Sequence, residues 1–270
     1  ARTAYDASDW PKAESLFDSF IQSYEAVPEL VETARRARPL LVMARLRLKK
    51  YAEALPLLET VLKDVQLDAA AADELAFWRG ICHLQIQAYD PAMAAFGEFY
   101  AEKMPYLTKL PDANRRSHAG RRVEALLLHG VCQLLKEDYV GTAKFFGDQI
   151  PSLRQTNREA PGRATVLRLH ALLTAGDDSG ALALVRETYP RMSEITQVVA
   201  FQTLTLELGS KLLESGRFYD AILCLQRIWP KARLLGHQKL AQQRFIAQLA
   251  LVKKSPGQEY LAFQYEGLLA

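Results

Sequence analysis

The sequence contains few of the residues that mark specialised protein classes. Only three cysteines occur among 270 residues (Cys82, Cys132 and Cys224), and none forms a C-x-x-C pair. An odd number of distant cysteines argues against a disulfide framework and favours a reducing compartment. No apolar run reaches the roughly 18 residues of a membrane span. The formal net charge of +3 is too small to indicate a dedicated nucleic-acid binder.

Recognisable catalytic and metal-binding motifs are also missing. The chain has no H-E-x-x-H, P-loop, G-x-S-x-G or G-x-G-x-x-G pattern. Its five histidines show no i, i+4 ligand spacing. We therefore expect no enzymatic activity, no metal and no cofactor.

What the sequence does contain is typical of helices. Alanine and leucine are abundant, while asparagine occurs only at Asn114 and Asn157. Long helices tolerate this mixture, and sheets do not favour it.

A repeat runs through this helical sequence. An aromatic residue, replaced by Asp178 in one weaker repeat, is followed by a small residue three positions later and a large apolar residue seven positions later. These offsets lie on one face of a helix. The repeats begin at Trp10, Tyr51, Tyr89, Tyr139, Asp178 and Phe218, at spacings of 41, 38, 50, 39 and 40 residues.

A second recurring feature is a glycine that lies 12 residues before the small position of three repeats. Gly80, Gly130 and Gly209 occupy this place. A glycine inside a helix costs up to about 1 kcal/mol relative to alanine, so its recurrence predicts close contact between helices. Cys82 and Cys132 also share a repeat position, which identifies them as small core residues rather than nucleophiles.

These residues resemble the tetratricopeptide-repeat family. Leu208-Gly209 is followed by Phe218, Ala221 and Leu225 in the order of the family's motif, and Gly80 is followed in the same way by Tyr89, Ala92 and Phe96. The resemblance implies an all-α, right-handed α-α superhelix of about six helical hairpins that binds other proteins. The period near 40 exceeds the family's 34, and a HEAT-like helical repeat is the alternative.

The expected organisation is a single repeat array over 1–270, open at both ends and belonging to a longer protein. It comprises a partial unit at 1–27, hairpins at 29–66, 68–104, 117–152, 160–190 and 194–232, and terminal helices at 237–270. Proline residues at 151, 190 and 230 are expected to end or bend second helices.

In the resembled family the first helices of the hairpins line a concave groove. Transferred to this chain, the groove would bind a helical or extended peptide segment through Arg36, Met43, Arg47, Glu74, Phe77, Ile81, Gln85, Glu124, Leu127, Val131, Arg163 and His170. Its apolar middle suits an amphipathic segment. The alternative is that longer helices pack these apolar residues into the core.

The 50-residue interval between repeats contains an insertion, Met104 to Gly120. It is expected to be a loop, either simply solvated or serving in binding. The associated candidate residues are Arg115, Arg116, Arg121 and Arg122.

The favoured function is a protein-interaction scaffold in a multi-protein assembly. Two alternatives remain open: a nucleic-acid-binding helical repeat that uses its arginine clusters, and a regulatory domain of a larger enzyme. Residues 10–20 resemble bacterial envelope tetratricopeptide proteins, so the envelope or periplasm is the alternative location. The expected partner is a protein or peptide rather than nucleic acid, and self-association through the open ends is left open.

Overall fold

The computed structural model describes residues 1–64, 67–195, 198–228, 246–247 and 249–269. Within these ranges the backbone forms helices, short turns and no strand. Within each of its two compact units, helices that follow one another along the chain pack against each other. The predicted all-α fold of stacked helical hairpins is confirmed.

The repeat register agrees with the helix boundaries. The helices are α1 (Arg2–Asp6), α2 (Trp10–Tyr24), α3 (Val31–Arg47), α4 (Tyr51–Leu62), α5 (Ala69–Gln85), α6 (Tyr89–Tyr100), α7 (Asp112–Leu135), α8 (Tyr139–Thr156), α9 (Ala160–Thr174), α10 (Asp178–Thr188), α11 (Val198–Glu214), α12 (Phe218–Ile228) and α13 (Glu259–Leu269). Every residue that begins a predicted repeat is the first residue of an even-numbered helix up to α12. These are the second helices of the hairpins; the odd-numbered helices from α1 to α11 are the first helices.

Two details of the prediction change. The segment 104–120 is not one loop, because Pro105–Lys109 forms a 3-10 turn and α7 already begins at Asp112. Pro151 lies inside α8, which continues to Thr156, whereas Pro190 is the second residue after α10, which ends at Thr188. Pro230 and the predicted helix start at residue 237 lie outside the described residues.

The chain divides into two compact units, Ala1–Lys136 and Glu137–Ala270. In the first unit each helix from α2 to α6 packs on the next, and α5 also contacts α7. In the second unit α8 packs on α9, α11 packs on α12, and α9 also contacts α11. The single array over 1–270 and its right-handed superhelix concern the whole chain and stay predictions.

Close packing in the first unit depends on one glycine. A Cβ atom on Gly80 would lie 2.4 Å from the Cε1 atom of Phe96, whose ring is fully buried. The backbone of α5 therefore lies directly against this ring of α6. The close helix contact predicted from the recurrent glycine is confirmed at Gly80.

The turn inside each hairpin has a fixed geometry. A residue with positive φ stands two positions before every second helix from α2 to α12. These residues are Ser8, Lys49, Gln87, Glu137, Gly176 and Gly216, and their φ angles lie between 58° and 77°. In five of the six turns, the next residue donates its N–H to a carbonyl five positions earlier, which closes the end of the first helix. Aspartate side chains cap several second helices, as Asp138 does by accepting from the N–H of Gly141 at 2.9 Å.

We expect Gln87→Gly to raise the free energy of unfolding by about 0.5–1 kcal/mol. Gln87 is exposed at φ 62°, a backbone region that glycine adopts without the steric cost of a Cβ atom. Urea unfolding followed by circular dichroism measures the change. The matched control is Gly176→Ala, which adds a Cβ at φ 77° and should lower stability. A loss of stability in Gln87→Gly would contradict the left-handed turn.

Candidate protein-binding surface

The predicted groove residues of the first unit lie on three first helices. Ile81 on α5 and Val131 on α7 occupy equivalent repeat positions, and both are partly exposed. Because α5 and α7 contact each other directly, the two helices form one continuous face. We call the partly or fully exposed predicted residues on α3, α5 and α7 the first-helix surface: Arg36, Met43, Arg47, Glu74, Phe77, Ile81, Gln85, Glu124 and Val131.

Phe77 is anchored at the edge of this surface. Its ring centroid lies 6.1 Å from that of Phe96 and 5.7 Å from that of Phe99. Both partner rings are buried on α6, while Phe77 itself keeps part of its surface open. Phe77 therefore has a fixed position and still offers apolar area. Met43 likewise packs in part against the core between α3 and α4.

Leu127 does not belong to the surface. Only 1% of it is exposed, although it stands at the α7 position equivalent to Phe77. A side chain so fully enclosed has no surface left to bury against a partner. Leu127 is a core residue, and the prediction that it contacts a ligand is corrected.

Charged residues of α3 and α5 both influence a tyrosine of the short helix α1. Burial raises the pKa of Tyr5, the Glu74 carboxylate raises it further, and the Arg47 guanidinium lowers it. The Arg47 guanidinium also lies 6.0 Å from the centroid of the Trp10 ring. Both charges therefore lie close enough to Tyr5 to affect the pKa of its phenol.

Arg163 and His170 complete the predicted set in the second unit. Both lie on α9, where Arg163 is partly exposed and His170 is exposed. They are seven residues apart, and helix geometry therefore places them on one face of α9.

The four arginines of the insertion all lie on α7 rather than in a loop. Arg115 pairs with Asp112 at 2.8 Å, and Arg116 is exposed. Arg122 donates from Nε to the carbonyl oxygen of Tyr100 at 2.8 Å. Arg121 points inward, where its Nε lies 3.1 Å from Asp73. At least two of the four therefore hold α7 against neighbouring helices instead of forming a free basic patch.

The partner of Arg121 belongs to a buried polar cluster that sequence reasoning missed. The carboxylate of Asp73, fully buried on α5, receives two donors of Arg121 and lies 2.6 Å from Nδ1 of His118. Because a carboxylate only accepts, this ring nitrogen carries the proton. The hydroxyl of Tyr106 lies 3.4 Å from the same carboxylate. The cluster therefore ties α7 and the 3-10 turn to α5. Its other members are 33 to 48 residues from Asp73 in sequence, so no local sequence pattern predicts the contact.

The cysteines of the first unit behave as core residues, as predicted. Cys82 and Cys132 are fully buried. Burial raises the pKa of Cys82 to about 12 and that of Cys132 to about 11. Both thiols are therefore protonated and unreactive at neutral pH. Among the described residues, no group of three or more histidine, cysteine or acidic side chains is placed to hold a metal ion.

Most arginines of the basic segment 35–50 are paired with carboxylates. Arg35 bonds to Asp64 at 3.0 Å, Arg38 to Glu25 at 2.9 Å, and Arg45 to Asp18 at 2.8 Å. These pairs link α3 to neighbouring segments of the first unit. The segment is therefore a set of ties between helices rather than an open track for phosphates.

Solved structures similar to this chain include a tetratricopeptide repeat protein. A tetratricopeptide repeat protein from Parabacteroides merdae is similar at 16% sequence identity and a TM-score of 0.47, over 99% of this chain and 94% of that chain. No family model and no curated protein matches the sequence. None of the described helices has the length and apolar character needed to cross a membrane.

Proposed function

We propose that this protein is a non-catalytic scaffold that binds a helical or extended segment of another protein on its first-helix surface. The observation that carries the proposal is the partly exposed apolar row on two helices in direct contact, α5 and α7. Phe77, Ile81 and Val131 supply this row. Amphipathic helices bind such faces through residues repeated every three or four positions.

Charged residues on α3, α5 and α7 would orient the bound segment. Arg36 and Arg47 on α3 are exposed, while Glu74 on α5 and Glu124 on α7 are partly exposed. Opposite charges along one surface favour a single direction of binding more than they add affinity. The proposed ligand is therefore an amphipathic segment with both acidic and basic residues beside its apolar stripe.

A nucleic-acid function is not proposed. Phosphate binding needs several cations free to contact the backbone. Arg35, Arg38 and Arg45 are instead paired with carboxylates.

We expect Ile81→Glu combined with Val131→Glu to abolish capture of specific partners by the full chain. Two carboxylates placed in the apolar row would have to lose water on binding, which is costly without paired cations. Affinity capture with quantitative mass spectrometry compares the variant with the wild-type protein. Circular dichroism establishes that each variant is folded.

The matched control is Ile86→Glu combined with Leu135→Glu. These two residues are 40% and 50% exposed at the ends of the same helices, outside the first-helix surface. The control should retain the partners that the surface variant loses. A folded surface variant that keeps every partner of the wild-type protein would refute the proposed surface.

A further inference from the structure

A cavity with a mixed lining lies where the 3-10 turn that follows α6 meets the first half of α7. Its volume is about 450 Å³, and Leu107, Leu110 and Ala119 supply its apolar wall. Glu102 and His118 line the same cavity. All of these residues belong to the first unit. The cavity therefore combines an apolar wall with two side chains that can form hydrogen bonds.

The ring of His118 is held in place and keeps one unused acceptor. Its side chain is 7% exposed, and Nδ1–H donates to the buried carboxylate of Asp73 at 2.6 Å. In the neutral ring this tautomer leaves a lone pair on Nε2. Nε2 is buried, and no described residue forms a hydrogen bond to it. Because buried polar atoms nearly always have a partner, this atom indicates a place for a donor from outside the chain.

A second acceptor stands beside this nitrogen. Oε1 of Glu102 lies 3.6 Å from Nε2 of His118, which is too long for a hydrogen bond. In the neutral ring neither atom carries a hydrogen, so each accepts only from a third group. The Glu102 side chain is 47% exposed and can turn to admit such a group. A donor bound here would meet a carboxylate and a neutral nitrogen together.

We propose that this cavity binds a lysine side chain of the bound partner segment. The ammonium group donates to Nε2 of His118 and to the carboxylate of Glu102, while the aliphatic stem lies on the apolar wall. An ammonium carries three donors on one nitrogen, whereas a guanidinium fork fits the two oxygens of a single carboxylate. This inference rests on the proposed scaffold function and adds the chemistry of one partner side chain.

The cations near the cavity are already paired. Arg115, which also lines the cavity, bonds to Asp112 at 2.8 Å. Arg121 is bound by the buried carboxylate described above. Arg122 lies 3.4 Å from Glu102 in a contact that is about half exposed on both sides. Exposed pairs of this kind contribute little, so an incoming ammonium competes with Arg122 on favourable terms.

The cavity shares a helix with the first-helix surface. His118 and Val131 are 13 residues apart in α7, which corresponds to about 20 Å along the helix axis. About 13 helical residues or about six extended residues of a partner span this distance. One bound segment can therefore reach both places.

The probe for this site is N-acetyl-lysine amide, and its control is N-acetyl-norleucine amide, which has the same stem without the nitrogen. NMR of the 270-residue chain with 13C-labelled leucine and alanine methyl groups follows Leu107, Leu110 and Ala119, assigned by single substitutions. We expect saturable shifts of these methyl groups with the lysine probe. The norleucine probe should bind at least about tenfold more weakly, because it makes no charge-assisted hydrogen bond.

Substitutions should change the affinity of the lysine probe in opposite directions. Glu102→Gln should weaken binding by at least about fivefold, because the shape is kept and the charge is lost. Arg122→Gln should strengthen binding, more at low salt than at high salt, because a competing cation is removed. The matched control is Glu98→Gln, at an exposed residue of α6 outside the cavity that pairs with Arg79 at 2.6 Å, and it should bind normally.

The assignment is overturned if the folded wild-type protein gives no saturable shift. Equal binding of the norleucine probe would show an apolar cavity without an ammonium site. Equal binding of N-acetyl-arginine amide would remove the selectivity for lysine. Equal affinity of the Glu102→Gln protein for the lysine probe would exclude the carboxylate.

The Ile81→Glu, Val131→Glu protein separates this inference from the proposed function. It should bind the lysine probe normally while losing the partners of the first-helix surface. Probe binding by a wild-type protein whose partners survive that double substitution would refute the surface and keep the cavity site. Glu102→Gln should also reduce capture of the same partners. Unchanged capture by Glu102→Gln would overturn the assignment of the ammonium to a partner lysine.

Discussion

Replacing Arg121 by methionine lowers the free energy of unfolding by about 3 kcal/mol. The carboxylate of Asp73 is fully buried, and Arg121 is its cationic partner. Removing one member of a buried ion pair typically costs about 3–5 kcal/mol, because the other charge stays without compensation. The lower end of that range applies, since His118 and Tyr106 still donate to the carboxylate.

Urea unfolding followed by circular dichroism measures this loss, with Arg116→Met as the matched control. Arg116 is exposed on the same helix, and its replacement should change stability by no more than about 0.5 kcal/mol. Adding Asp73→Asn to the Arg121→Met protein should recover part of the loss, because the uncompensated charge is then gone. Equal effects of Arg121→Met and Arg116→Met would show that Asp73 does not depend on this guanidinium.

Gly80→Ala lowers the free energy of unfolding by about 2 kcal/mol. The new Cβ would lie 2.4–2.8 Å from three carbons of the Phe96 ring. That ring cannot move aside, because it is fully buried and packs against Phe77. Overpacking of this kind costs about 1–3 kcal/mol, which exceeds the gain of up to about 1 kcal/mol from the better helix propensity of alanine.

Gly120→Ala is the matched control, because the two substitutions should change the free energy of unfolding in opposite directions. Gly120 lies inside α7 with no atom within 4 Å of an added Cβ. The same substitution there should raise stability by up to about 1 kcal/mol through helix propensity alone. Thermal and urea unfolding of both variants test this. A stabilised Gly80→Ala protein would show that α5 and α6 lie farther apart than the structure places them.

The sequence by itself determined the helices and their register. The small and large residues at +3 and +7 must share one helix face, and this predicted the first residue of each second helix from Trp10 to Phe218. The glycine at 80 predicted close contact, because a glycine inside a helix is costly unless packing requires it. Such local rules depend only on helix geometry, so they can be read from a single chain.

Only the tertiary structure decided which side chains are exposed to solvent and which are buried. Leu127 and Phe77 share a repeat position, yet one is enclosed and the other partly exposed. Arg121 and Arg116 are near neighbours on α7, yet only Arg121 has a described bond to the buried Asp73, 48 residues away. Exposure and pairing depend on which atoms of distant segments meet, and a repeat pattern does not specify these.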